Sequence, residues 1–205
     1  MTEKKNIGTL YRIAGPVVVA KGLGASMYDV VRVGNERLMW EVIQIDGEKI
    51  IIQVYEDTTG IKPGEPVENT GEPLSLELGP GLLTSIYDGI QRPLAVLEEK
   101  MGNFISRGVD APGLDRNKKW EFKATKKAGD IVKEGDFLGE VEETPGFIHK
   151  ILVPRKANGK IKEIKSGSFT VTDIICKLDN GREIMMMQKW PVRVPRPVKK
   201  KISPY

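Results

Sequence analysis

Gly159-Lys160 is the one Gly-Lys pair in the chain, and phosphate binding is the first chemistry it must be tested against. A phosphate-cradling loop needs G-x-x-x-x-G-K-[ST], because its backbone amides wrap the phosphates while the lysine reaches the terminal ones. Here Pro154 stands where the first glycine belongs and Ile161 follows the lysine, so the motif fails at both ends. The stretch GLGASM at 22–27 opens like a dinucleotide fingerprint, but Met27 takes the place of the third glycine and no βαβ pattern surrounds it. Cys176, the lone cysteine, lies in the apolar run FTVTDIIC and reads as a small buried hydrophobe; no internal disulfide is open to it. A single histidine, His149, leaves no His/Cys cluster for zinc and reads as an ordinary strand or turn residue. Met185, Met186 and Met187 fall on alternating faces of a strand and cannot converge on one ion. Serine and carboxylates are plentiful, yet no nucleophile and base stand out as a pair. The residues therefore predict no catalytic, nucleotide-binding or metal-binding side chain and no cofactor for this chain.

The net charge of +4 invites nucleic acid as a partner, but its distribution argues against one. After Glu183 every charged residue is basic: Lys189, Arg193, Arg196, Lys199, Lys200 and Lys201. Taking those six from 32 basic residues leaves 26 against 28 acidic ones, a body of about −2. A nucleic-acid-binding barrel carries its positive charge on the face of the fold, interleaved with aromatics. No stretch approaches the roughly 18 apolar residues of a membrane span, and Met1–Ile7 has no apolar signal core. The chain reads as soluble and cytosolic.

The elements that would carry any site are β-rich. In residues 7–70, IGTLYRI, GPVVVAKGLG, YDVVRV, RLMWEVIQI and EKIIIQV are short apolar runs set off by turn signals at Gly34-Asn35, Asp46-Gly47 and KPGEP (62–66). Asp46-Gly47 between two apolar runs predicts a hairpin with φ > 0 at both residues. About six strands without a long helix predict a small closed barrel over residues 1–75. Next, LGPGLLTSIYDGIQRPL places Leu82, Leu83, Ile86 and Ile90 at helical spacing, with Pro80 suited to a first turn and Gly89 to a C-cap, so an amphipathic helix is expected there. A second helix is expected from Pro93, with Leu94, Leu97 and Met101 facing inward and Gly102 ending it. Residues 103–118 read as a crossing loop, which makes 76–118 a helical connector.

From Lys119 to Trp190 the β pattern resumes, with turns expected at Gly129-Asp130, Glu134-Gly135-Asp136, Asn158-Gly159 and Asn180-Gly181. GDIVKEGDFLGEVE followed by GKIKEIKSG resembles the flattened barrel-sandwich of biotinyl and lipoyl carrier domains. The resemblance is to the scaffold: Glu-Glu-Thr-Pro-Gly (142–146) stands where a modifiable lysine would follow, and Met-Lys-Met is absent. The fold class predicted is all-β: a six-stranded barrel, a short helical connector, a second β-rich module over 119–190, and 191–205 as a linker.

Residues 8–94, with GPGLLTSIYDGIQRPL near their end, resemble the N-terminal barrel of the rotary ATPases and specifically the catalytic A subunit of the archaeal and vacuolar types. RGVDAPGLDRNKKWEF through QKWPVRVPRP resembles the β-rich insertion of that subunit, the bulge or non-homologous region. The B subunits and F-type catalytic subunits lack that insertion. In the family WPVRVPRP leads into a nucleotide-binding domain that holds the phosphate loop, so no catalytic residue carries over. The resemblance implies a tail that is a linker toward that domain, kept extended by Pro191, Pro195 and Pro197. It also implies that the parent subunit makes or hydrolyses ATP with magnesium, coupled to ion transport. Its partners would be the B subunits of an alternating A/B ring and the peripheral and central stalk subunits. Its place would be the cytoplasmic face of the cell membrane, met only through the complex. This piece alone would be inactive, the crown and bulge of the ring. A complete small adaptor or nucleic-acid-binding barrel protein is the alternative.

Overall fold

The computed structural model describes residues 6–54, 57–102, 108–109 and 111–196. Strands β1 (Ile7–Ala14), β2 (Val17–Lys21), β3 (Asp29–Val33), β4 (Leu38–Asp46), β5 (Lys49–Val54) and β6 (Pro66–Pro73) close a barrel in the order β1-β2-β5-β4-β3-β6. Every neighbouring pair is antiparallel, and β6 returns to β1 through Gly8 opposite Val67. Closure removes sheet edges, and the period-2 pattern decides which side chains face inward. In β5, Ile50, Ile52 and Val54 are buried while Lys49 and Gln53 are exposed. Leu10, Val18, Ala20, Val31, Leu38, Trp40, Val42 and Val67 complete the interior.

The turns set the register. Gly34 to Arg37 links β3 to β4, and Pro63-Gly64 turns the chain into β6, with Gly64 at φ 97° as its position requires. The β4–β5 hairpin departs from expectation. Asp46 pairs with Lys49, so the loop is Gly47-Glu48 and, of Asp46 and Gly47, the glycine alone has positive φ, 57°. Glycine as the first of two loop residues is the II′ pattern, which needs one left-handed residue instead of two.

The chain forms two compact units. The first takes the residues through Ser75 together with Leu97–Asp110 and Pro191–Arg193; the second takes Leu76–Val96, Ala111–Trp190 and the residues from Val194. The segment 76–118, expected as a connector, thus divides between them. It carries β7 (Ser75–Leu78) and one helix, α1 (Leu94–Met101), which buries Leu97 and ends at Gly102, φ 70°. The amphipathic helix expected over Leu82–Ile90 does not form. Residues 79–90 are turns, bends and irregular backbone with a bridge from Tyr87 to Pro93, Leu83 is 57% and Ile86 75% exposed, and only Leu82 of the expected stripe packs on the core of its unit.

The second unit adds β8 (Trp120–Ala124), β9 (Ile131–Val132), β10 (Phe137–Thr144), β11 (Phe147–Leu152), β12 (Gly159–Ile164), β13 (Gly167–Phe169), β14 (Ile174–Leu178), β15 (Glu183–Met185) and β16 (Gln188–Pro191). They form two four-stranded sheets, β11-β10-β8-β13 and β15-β14-β12-β9, and β16 pairs with β7. Phe122, Leu138, Val141, Ile151, Ile161, Ile175 and Leu178 fill the core. Gly139 permits the β8–β10 approach: a Cβ there would lie 2.4 Å from the Lys123 carbonyl oxygen and from the Phe122 ring.

Two turns six residues apart share one construction. At Lys127–Asp130 and Lys133–Asp136 the aspartate accepts the lysine N–H at 2.9 Å, and its own N–H returns to the lysine carbonyl. Thr170–Asp173 repeats the arrangement. Asn180-Gly181 turns β14 into β15 as expected, with Gly181 at φ 82°. Asn158-Gly159 does not make a hairpin turn: Gly159 starts β12, and the turn lies earlier, at Arg155-Lys156.

Candidate functional site

Buried polar groups of the second unit gather around the loop that failed to become a helix. Asp88 accepts the N–H of Ile90 at 3.1 Å and of Arg92 at 2.8 Å, and its other oxygen takes the Arg92 guanidinium at 2.7 Å. Asp88 N–H donates to the Arg92 carbonyl, and Leu94 N–H to that of Ile86, so residues 86–94 double back on themselves. An aspartate that offers its backbone neighbours these bonds competes with helix formation. Burial pushes the Asp88 carboxyl up, but the Arg92 N–H, the Arg92 side chain and the Ile90 N–H together hold it below its ordinary range.

Gln91 adopts φ 65°, unusual for a residue with a Cβ, and the reason is visible in its side chain. Its carboxamide accepts the Glu77 N–H at 2.7 Å and donates to the Glu77 carbonyl at 2.8 Å, so it pairs with β7 as a strand residue would. The Glu77 carboxylate takes the Leu114 N–H at 3.1 Å and the Arg116 guanidinium, which also meets the Met187 sulfur at 2.9 Å.

A second anchor sits on the β10–β11 hairpin. Glu142 pairs with Ile148 and Thr144 with Phe147, which leaves Glu143 as the extra residue of a bulge. Bulges re-aim side chains. Here the bulge turns Glu143 inward, where one oxygen accepts Gly81 N–H at 2.7 Å and Leu83 N–H at 3.1 Å and the other faces His149 Nδ1 at 2.9 Å. Burial raises the Glu143 pKa, but the two amides and His149 outweigh it, so the carboxyl titrates below its ordinary range. His149 is therefore more than the ordinary strand residue its sequence suggested: it completes a three-donor cage around a buried carboxylate. Both oxygens are engaged, so the pair anchors the 81–83 segment and presents no base to a substrate.

The remaining residues singled out by sequence stay apart. Cys176 is buried, and burial pushes its thiol up to about 11, which keeps it protonated. Met186 is buried while Met185 is exposed, as alternation requires, although β15 ends at Met185. Among the described residues no group of three or more His, Cys, Asp and Glu is arranged to hold a metal ion, and no helix is long and apolar enough to cross a membrane. An open groove of about 760 Å³ runs past Lys133, Phe137, Gln188, Trp190 and Arg196. Its two carboxylates, Glu134 and Asp136, accept the backbone N–H groups of Lys156 and Lys133. The groove thus mixes both charges around aromatic walls and selects no ligand by charge.

The expected extended linker also begins differently. Residues 192–194 turn, Val192 N–H donates to the Leu74 carbonyl at 2.9 Å, and Trp190 Nε1 donates to the Val194 carbonyl at 2.7 Å. Arg193 ion-pairs with Glu41 of β4. Pro191 ends strand β16 and is extended as expected, and the departure is the turn that follows it, held by these bonds to the folded chain; Pro197 and Lys199–Lys201 lie outside the described residues.

Two family descriptions match this chain: "ATP synthase alpha/beta family, beta-barrel domain" over residues 10–71, and "ATPsynthase alpha/beta subunit barrel-sandwich domain" over residues 111–193. The first is the closed barrel, and the second is the two-sheet unit in which sequence had suggested a barrel-sandwich. The chain is 70% identical over all 205 residues to an A subunit of the A-type ATP synthase of Methanospirillum hungatei, covering 35% of that protein. It is 66% identical over 203 residues to the A subunit of the A-type ATP synthase of Methanoculleus marisnigri and 64% identical over 197 residues to that of Methanosarcina barkeri. The chain spans about a third of the length of these relatives, 35% and 34% for the latter two. Barrel, barrel-sandwich and full-length identity agree: the chain belongs to the ATP synthase alpha/beta family and corresponds to the N-terminal part of the A subunit of an A-type ATP synthase.

Proposed function

We propose that this chain is the structural and assembly portion of the A subunit of an A-type rotary ATP synthase. The observation that carries the reading is 70% identity, spanning both β units, to an A subunit of that type. In this role the barrel forms part of a crown with the B subunits of an A/B ring, and the barrel-sandwich unit forms the peripheral bulge near the stalk subunits. The parent complex makes or hydrolyses ATP with magnesium at the cytoplasmic face of the membrane, and this part meets the membrane only through the complex. Such a role needs rigid β architecture and exposed contact patches, and it needs no reacting side chain. The buried cages on Asp88, Glu77 and Glu143 fit it, because each fixes a loop rather than opening to solvent.

Titration calorimetry of the chain with Mg-ATP tests the division of labour. No heat of binding is expected, because the chain lacks the glycine-rich amide cradle and its lysine. Micromolar binding would overturn the placement of the nucleotide site outside these residues.

A further inference from the structure

Glu41 lies in the middle of β4 and is 1% exposed, yet its partner comes from 152 residues away in sequence. Arg193 Nε donates to Glu41 Oε1 at 2.9 Å and its Nη2 donates to Oε2, a fork that matches the two carboxylate oxygens. The same guanidinium lies 4.4 Å from the centre of the Tyr28 ring. Tyr28 has φ 69°, a left-handed conformation that a bulky residue adopts only when its surroundings impose it. The surroundings are on hand: Tyr28 N–H donates to the Val42 carbonyl at 2.9 Å, and the next residue, Asp29, accepts Ser26 N–H at 2.7 Å and Asn69 Nδ2 at 3.0 Å. The barrel thus holds a strained tyrosine and a buried carboxylate, and Arg193 occupies both.

We propose that the Glu41–Arg193 pair, backed by Tyr28, is a latch that seats residues 191–193 on the barrel wall, so that the stretch the sequence presents as a linker is a strap held by this ion pair. Arg193 is half-exposed while Glu41 is not, so the strap is the part that can leave. Trp40 and Val42 face the barrel interior, so Glu41 between them lies on the outer face of β4, and when the strap leaves, the Glu41 carboxylate loses the Arg193 fork. A pull on the chain beyond Arg193 is delivered to β4, between β3 and β5, instead of being absorbed by a slack tether. The latch rests on the chain's own residues and stands or falls independently of the ATP synthase reading.

Hydrogen exchange followed by NMR on the intact chain tests the latch through Val192 N–H, which donates to Leu74, and Trp190 indole N–H, which donates to Val194. Arg193→Gln and Glu41→Gln are each expected to raise exchange at Val192 about tenfold or more. The double variant should exchange no faster than the faster single, because one interaction is removed either way. The amides of β2 and β5 should be unchanged in Arg193→Gln. Val192 exchanging in the unaltered chain at the rate of an unprotected amide would overturn the latch. So would Val192 protection that survives Arg193→Gln, or effects of the two substitutions that multiply. If Glu41→Gln loosens the whole barrel, Arg193→Gln alone decides, since it leaves the barrel interior intact.

Discussion

Glu143 concentrates most of what the second unit asks of a single residue. It is the extra residue of a bulge, it is buried, and three N–H donors converge on it. Replacing it with alanine strands the Gly81 and Leu83 amides, and each orphaned donor costs about 1–3 kcal/mol. We therefore expect Glu143→Ala to lower the denaturation midpoint clearly, while Glu143→Gln, which keeps an acceptor for both amides, loses less. The pH dependence has a definite sign. A carboxyl whose folded pKa is depressed contributes stability that is complete above its unfolded pKa and is lost as pH falls through the folded one. Stability should accordingly fall on acidification below the ordinary carboxylate range, and Glu143→Gln should flatten that fall. A slope unaltered by the substitution would assign the acid loss to other groups, such as Asp88.

At the scale of elements, the barrel was legible because its runs are short, β-branched and punctuated, and a closed sheet demands little else. α1 was legible too, from Leu97 and the Gly102 stop. The segment from Leu82 to Ile90 was not. Its apolar spacing has a helical period, but periodicity is silent about competing side-chain bonds, and here Gly81 at φ 110° and the Asp88 cage decide against the helix. The bulge at Glu143 was equally hidden, because nothing local in Glu-Glu-Thr says which glutamate is the extra one. The same holds for Arg193, whose partner is far away in sequence. The loop makes its own prediction. Asp88→Ala removes the acceptor of the Ile90 and Arg92 N–H groups as well as one ion pair of Arg92, and each orphaned donor costs about 1–3 kcal/mol. Chemical denaturation should show a loss of that size, with the far-UV helical signal unchanged because no helix forms over 79–90.

At the scale of the whole chain, exposed apolar side chains and a basic tail make different demands on association. The barrel exposes Ile7, Tyr11, Met27 and Ile45, apolar side chains on its outer wall. The basic charge that would drive a counterion-sensitive interaction sits after Glu183. A side-by-side contact between two small barrels sustains a stable complex by itself only where it buries roughly 1,000 Å² or more. On the proposed reading, the chain is a monomer or weak oligomer alone and associates with a B-subunit barrel only at high concentration. The two surfaces then make opposite predictions about salt. An apolar contact weakens little as ionic strength rises, whereas binding through Lys199–Lys201 falls steeply as counterions compete. Sedimentation with a B-subunit barrel at low and high salt, on the full chain and on a chain lacking residues 194–205, separates them while leaving Arg193 and its seat on Glu41 in place. Association that persists at high salt and survives the deletion supports the crown contact. Association lost under both treatments would assign the binding to the basic tail and remove the barrel wall from the assembly role.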